Sequence, residues 1–382
     1  MMDGITYLDN NATTRIDARV LEAMMPLLTE QYGNASSVHR FGAGVAAEVE
    51  AAREEVARLI GARPSEIVFT SGGTEADNAA LRGVAAARPN KRHIVVSSVE
   101  HHAVLDSAAL LEREGFRVTR LAVGRDGRLD LESVAGALDD NTLLISVMLA
   151  NNETGVVYPI REIAELAHRH GVLVHTDAVN ALGKMAVDVE QLDVDLLSLS
   201  AHKIYGPKGC GALYMRTGTP FRPLIVGGGQ ESRRRGGTHN AAGIVGLGAA
   251  CRLIREEWRH CMAEVSKLQR HLEEELTQRF EFARIIGAES PRTANTTCVC
   301  FAGCTAQAIL LLLSEADICV SSGSACASGS LEPSHVLSAM GIEPEVAQGQ
   351  IRISTGRFST SDDIERLLEA LPAVFERVRA LG

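Results

Sequence analysis

The chain has 382 residues, 46% hydrophobic and 23% charged, ordinary values for a globular protein with room for two sizeable cores. Its 38 basic and 48 acidic side chains leave a formal charge of −10, which argues against a general nucleic-acid or membrane-surface role. No apolar run reaches membrane-spanning length, and the start Met1-Met2-Asp3-Gly4-Ile5 lacks the basic and apolar regions of a signal peptide.

In chain order, Tyr7 and Leu8 make a short apolar start that runs into the polar turn Asp9-Asn10-Asn11-Ala12-Thr13-Thr14, and residues 34–39 form a second polar loop. Val49, Ala52, Val56, Leu59 and Ile60 recur at helical spacing within 45–60, and Gly61 closes that helix. A strand at 67–70 leads directly into Ser71-Gly72-Gly73-Thr74 and an alanine-rich helix at 76–87. Such a junction either merely connects two elements or offers free backbone N–H groups and a positive helix end to a phosphate. Strands at 94–97, 118–121, 143–148, 172–175 and 196–199 then alternate with helices at 104–114, 131–138 and 160–170. This alternation predicts an α/β fold with a mostly parallel sheet and helices on both faces.

In such sheets the ligand lies at the carboxyl ends of the strands. Polar clusters stand at five of those ends: 71–74, Glu100-His101-His102, Asn151 to Gly155, Asp177, and Ser200-Ala201-His202-Lys203. Lys203 follows an apolar strand and precedes Gly206-Pro207-Lys208-Gly209, which stops regular structure. An isolated lysine in a turn is usually solvated. In this company it is expected to be partly desolvated, with a lowered ammonium pKa, as imine chemistry requires.

Residues 227–238 form a long polar, basic loop suited to an anion or a partner, and 245–280 read as a largely helical stretch with charged turns near Glu256 and Glu273. The last third mixes strands at 296–301 and 351–354 with helices at 305–314 and 361–381, a smaller α/β domain. The expected division is a large domain over 12–255 and a small one made of 1–11 and 256–382. Eight cysteines without regular spacing suit a reducing cytosol rather than a disulfide framework. Cys298, Cys300 and Cys304 make a C-x-C-x3-C spacing, but Cys298 and Cys300 read as strand residues rather than metal ligands, because they alternate within 297–301 and no paired motif follows. In 321–330, ten mainly small residues form a loop with Cys326 near its middle, an unusual place for a thiol unless it is reactive. Arg352, in an alternating strand, is expected to face inward and clamp a carboxylate; a plain salt bridge is the alternative.

An imine-forming lysine, a phosphate cradle, an aspartate and a histidine at strand ends suit pyridoxal phosphate, whose ring becomes an electron sink once its nitrogen is protonated. Asp177 is the natural partner of that nitrogen. The same residues carry a resemblance. Over essentially its whole length the chain resembles the cysteine desulfurases of the NifS/IscS family, through 7–14, 71–75, 100–102, 151–155, 175–178, 200–203, 236–238, 321–326 and 351–354. The run 321–336 is most similar to the NifS branch, within the subgroup with a long catalytic loop.

The resemblance implies a fold-type I pyridoxal-phosphate enzyme acting as a cytoplasmic homodimer, with no nucleic-acid or membrane partner. It implies that Lys203 carries the coenzyme, that Asp177 pairs with its ring nitrogen and that His101 stacks on the ring. It gives Gly73, Thr74, Ser200 and His202 to the phosphate, with Thr238 reaching in from the second subunit. Asn152 is implied at the substrate and coenzyme, Asn180 at the phenolic oxygen, and Arg352 at the substrate carboxylate. Cys326, on the loop 321–333, is implied as the nucleophile that takes sulfur from L-cysteine, leaving alanine and a persulfide. No intrinsic metal is implied, though Cys326 stands as a candidate shared ligand with an iron–sulfur scaffold, the implied sulfur acceptor. Nitrogenase-related assembly is the specific expectation, with thiolation of tRNA or of cofactors as the alternative. The chain departs from the family pattern at Asn180, where glutamine is usual, at Arg233, where glycine is frequent, and at Ala35, where proline is common. An aminotransferase, a selenocysteine lyase and a non-enzymatic scaffold are the rivals. The first two have no use for Cys326, and the third has none for Lys203.

Overall fold

A computed structural model describes residues 4–323 and 334–381. The elements run β1 (Thr6–Tyr7), α1 (Ala18–Thr29), α2 (Arg40–Ile60), β2 (Ile67–Thr70), α3 (Gly73–Ala87), β3 (His93–Ser97), α4 (His102–Arg113) and β4 (Arg117–Leu121). They continue with α5 (Leu131–Ala137), β5 (Thr142–Ser146), α6 (Ile160–Arg169), β6 (Leu173–Asp177), α7 (Val189–Leu192), β7 (Leu196–Ser200), β8 (Gly211–Met215) and α8 (Ala241–Arg279). The remainder is β9 (Ala283–Ile285), β10 (Thr296–Phe301), α9 (Ala306–Glu315), β11 (Ile318–Cys319), α10 (His335–Ala339), α11 (Pro344–Ala347), β12 (Gln350–Ser354) and α12 (Ser361–Leu381).

Seven strands form the central sheet in the order β2-β8-β7-β6-β5-β3-β4. Six are parallel, and β8 runs antiparallel between β2 and β7. β8 is missing from the pattern-based reading, which took Gly-Pro-Lys-Gly as the end of regular structure. The chain instead turns there and sends Gly211-Ala212-Leu213-Tyr214-Met215 back through the sheet. The inner strands are largely apolar on both faces, as a sheet covered twice requires, while the edge strand β4 carries Arg117 and Arg120 exposed. Phe69, Val95, Ile145, Val174 and Leu197 point into a core with α2, α6 and α8, while Val68, Ile94, Val96, Leu144 and Leu196 meet α3 and α4. Each such fully buried side chain contributes about 1.5–3 kcal/mol.

A second core lies under the antiparallel sheet β12-β10-β9, where Phe280, Phe282, Phe301 and Phe375 place their ring centroids 4.7 to 6.5 Å apart. β10 serves both cores with a period of two: Cys298 and Cys300 face the first, Val299 and Phe301 the second. Both cysteines are thus strand residues, as their alternation predicts. α8 also serves both, through Leu247 and Ile254 in the first core and Leu272 and Leu276 in the second, with Arg255, Glu256 and Arg259 solvated between. Its 39 residues span about 58 Å. Gly248 lets α8 lie directly on α2, since a Cβ there would come within 2.6 Å of the Ala52 Cα. The N-terminal segment joins the C-terminal part, with β1 pairing β11 in parallel and Asp9 bridging Ser354.

Candidate active site

The carboxyl ends of β2, β3, β5, β6 and β7 converge on a cavity of about 420 Å³. Gly73, Thr74, His101, Asn152, Asp177, Asn180, Ser200, His202, Lys203 and Arg352 all line it. Thr238 does not. It is exposed on the 227–240 loop. Cys326 lies outside the described residues. The chain reaches the cavity wall at Gly323 and is described again from Ser334, whose Oγ donates to Glu153 Oε2 at 2.5 Å.

The turn after β2 is built for close approach. A Cβ on Gly73 would come within 2.7 Å of Val179 Cγ2, so only glycine fits between the start of α3 and the segment after β6. The leading N–H groups of a helix have no partner inside it, and Gly73 and Thr74 carry theirs to the cavity wall. Glu75 accepts from the Ser71 N–H at 2.8 Å and holds Arg235 through both oxygens at 2.9 and 3.1 Å, so its charge is neutralised at the helix end.

His101 caps α4, its Nδ1 accepting from the Ala103 N–H at 3.1 Å. Burial first, and then the charge of Lys203, push its pKa down to about 4, so the ring is neutral with its proton on Nε2. Asp177 ends β6. Burial raises its carboxyl to about 6, against the Val179 N–H at 2.8 Å and the charge of Lys203. Beside it, Asp77 Oδ1 is buried with no hydrogen-bond partner among the described residues. A buried carboxylate raised this far suits a cationic group inside the cavity.

Lys203 follows β7 on a single tight turn, and its Nζ donates to the carbonyls of Asn11 and of Ala12, the latter at 2.9 Å. His202 Nδ1 meets Thr13 Oγ1 at 3.2 Å. Arg352, on β12, is 3% exposed. It donates to the Asn152 carbonyl at 3.1 Å and to Asp9 Oδ1 at 2.9 Å. Its Nε–H has no partner among the described residues, a donor available to an anion in the cavity. Arg352 therefore combines the two alternatives, an ion pair with Asp9 and an open face toward the cavity.

Two groups carry no strong local signal. Asp77 hides on the alanine-rich face of α3. Lys184, behind the cavity wall, donates to Asn11 Oδ1 at 2.7 Å and to Asn180 Oδ1 at 2.5 Å. Asn11 was visible only as part of the polar turn 9–14, and nothing local pairs it with a lysine 173 residues away.

The residues fit pyridoxal phosphate: an amine at the wall, a buried carboxylate suited to a cation, and helix N–H groups opposite. Comparison with known proteins points the same way. The family described as aminotransferase class-V matches residues 6–367. A cysteine desulfurase of Trichormus azollae is 48% identical over 378 residues, 99% of this chain and 94% of that one. The solved structure of a NifS-like protein superimposes with a TM-score of 0.91 at 39% identity, over 97% of this chain and 99% of that one. A structure described as SspA in complex with cysteine gives 0.82 at 36% identity, over 93% and 99%.

Proposed function

Because the chain belongs to the aminotransferase class-V family, we propose from its cavity that it is a pyridoxal-phosphate-dependent cysteine desulfurase acting on L-cysteine. The observation that carries this reading is the meeting of Lys203, Asp177 and Arg352 at one cavity. When bound, the coenzyme supplies an electron sink for the bond changes at the substrate's Cα and Cβ.

The protein's own groups do the rest. Lys203 Nζ, resting on the Asn11 and Ala12 carbonyls, would hold the coenzyme and would move the proton at the substrate's Cα. Asp177 would keep the ring nitrogen protonated, and neutral His101 would lie against the ring. Gly73, Thr74, Ser200 and His202 would bind the phosphate. Asn152 and Asn180 stand at the substrate and ring edge, and Arg352 orients the substrate carboxylate. Cys326 receives the sulfur: the Cβ–S bond of L-cysteine breaks, an S–S bond forms on Cys326 Sγ, and alanine leaves. The transfer balances, with thiol plus cysteine giving persulfide plus alanine. Gly323 at the cavity wall supports this role, since the segment that carries Cys326 departs from there.

The working form is a homodimer with its domain division within α8, at about residue 255. Leu21, Met25 and Leu28 on α1, with Tyr32, Val38, Phe41, Ile225 and Val226, remain exposed in one chain and suit a second copy. The 227–240 loop, next to Ile225 and Val226, would bring Thr238 to the other subunit's phosphate. The acceptor is an iron–sulfur scaffold, in nitrogenase-related assembly on the resemblance of 321–336 to the NifS branch, with Cys326 the candidate shared ligand. No helix among the described residues is long and apolar enough to cross a membrane, and the seven described cysteines are unpaired, which supports a reducing cytoplasm.

The test is a single turnover of purified protein with L-cysteine and no reductant. Stoichiometric alanine and a one-sulfur mass adduct absent from Cys326→Ala support the reading. Bound coenzyme without alanine would sink it.

A further inference from the structure

Lys184 is 9% exposed and sits behind the cavity rather than in it. A buried lysine is usually met by a carboxylate. This one donates instead to two amide oxygens, Asn11 Oδ1 and Asn180 Oδ1. An ammonium aimed this way offers only hydrogens to both, so it fixes which end of each amide faces which way. Asn11 Nδ2 must then turn to the Asn152 carbonyl at 3.1 Å and to Thr296 Oγ1 at 2.8 Å. Asn180 Nδ2 must turn to the Asn151 carbonyl at 3.1 Å, which uses one of its two hydrogens and leaves the other for the cavity that Asn180 lines.

We propose that Lys184 is a positioning residue that orients the Asn180 amide, so that this side chain presents an N–H, and never its oxygen, to the ring-edge oxygen of the coenzyme. This rests on the coenzyme assignment made above. It also accounts for a short asparagine serving at this position. Lys184 and the Asn151 carbonyl grip both ends of the amide, leaving it no freedom to retract or flip. Through Asn11, the same amine braces the segment whose carbonyls hold Lys203. Burial, and then the positive charges of Lys203 and Arg352, lower the Lys184 pKa. The two amide oxygens that accept from Nζ favour the charged form against that shift.

The test is a double-mutant cycle on the loaded enzyme, reading coenzyme dissociation by equilibrium dialysis together with the visible band of the bound coenzyme. Lys184→Met fills the site without donors. It is expected to weaken coenzyme binding about tenfold and to move the band in the native background. In an Asn180→Ala background the same change is expected to cost less than about twofold, because there is no amide left to orient. An equal loss in both backgrounds, or none in either, overturns the proposal. If the methionine variant does not fold, Lys184→Arg takes its place: its longer side chain displaces the amide, so the coupling to Asn180 must persist, and its absence is decisive. A native protein that shows no visible band lost with Lys203→Ala instead refutes the coenzyme assignment beneath.

Discussion

Glu231 holds Arg53 through both carboxylate oxygens, at 2.7 and 2.8 Å, in the interior beneath the 227–240 loop. The same carboxylate accepts the Phe69 N–H at 2.9 Å and meets His239 Nε2 at 2.8 Å. It opens a run of three left-handed residues, Glu231, Ser232 and Arg233, with φ of 48°, 54° and 66°. Non-glycine residues in that region cost about 1–3 kcal/mol each, so the loop keeps its shape only because something holds it. Glu231 is that hold.

Removing it has a pH signature. Burial raises the Glu231 carboxyl, but the Arg53 and His239 contacts outweigh this and bring it to about 2. A depressed carboxyl gives stability that is full above its ordinary value of 4.5 and is lost as pH falls toward 2. Glu231→Gln leaves the buried Arg53 with Glu50, at 3.2 Å on the exposed side, as its remaining carboxylate partner, and is expected to cost about 3 kcal/mol at neutral pH in urea unfolding. It should also flatten the acid limb below pH 4.5. Neutral-pH stability equal to wild type contradicts this account.

Gly73→Ala puts a methyl 2.7 Å from Val179 Cγ2, between Asp177 and Asn180. Coenzyme affinity is expected to fall about tenfold or more, from the displacement of that segment. Gly73→Ala with Val179→Ala should regain most of the loss, and dialysis of both variants measures it. No recovery would place the damage in the helix end instead.

Asp177 gives the second pH prediction. Its raised carboxyl is protonated below about 6 in the coenzyme-free protein, so the partner for the ring nitrogen is lost there. Coenzyme affinity should fall by about tenfold per pH unit below 6, beyond whatever the coenzyme's own groups impose, and that excess should vanish in Asp177→Asn. For stability of the coenzyme-free chain the sign is opposite: a raised carboxyl costs stability as pH climbs from 3.8 to about 6. Spectrophotometric titration of both proteins across pH 5–7.5 decides the first, and thermal melts decide the second.

Arg352→Lys keeps the charge beside Asp9 but loses the planar fork. The expected result is a KM for L-cysteine about tenfold or more higher, with the coenzyme band unmoved. A fall in kcat alone would point to a different role.

Most of the sheet was readable because the inner parallel strands are short, mainly apolar runs closed by polar or glycine residues, and the edge strand β4 alternates with the helices around it. The cavity's wall was readable for the same reason: its side chains stand at those closures. β8 was not, since glycine and proline at Gly206 and Pro207 punctuate the chain without ending the sheet. α1 was not either, as Pro26 lies inside it and Leu21, Met25 and Leu28 face outward, blurring the apolar stripe. Lys184 escaped because its acceptors come from Asn11 and Asn180, and only folding brings the first of these near. A local pattern holds no trace of a contact across 173 residues.

β10 and α8 each belong to two cores at once. The consequence is one of inheritance. A sequence change at Val299 on one face of β10 shifts the strand that also carries Cys298 and Cys300 on the other, so the two cores are constrained together. Recombination that joined the first 255 residues to a foreign remainder would cut a continuous helix and orphan both of its ends. The small C-terminal part is thus packed as a continuation of the sheet's own core, and not as an interchangeable module.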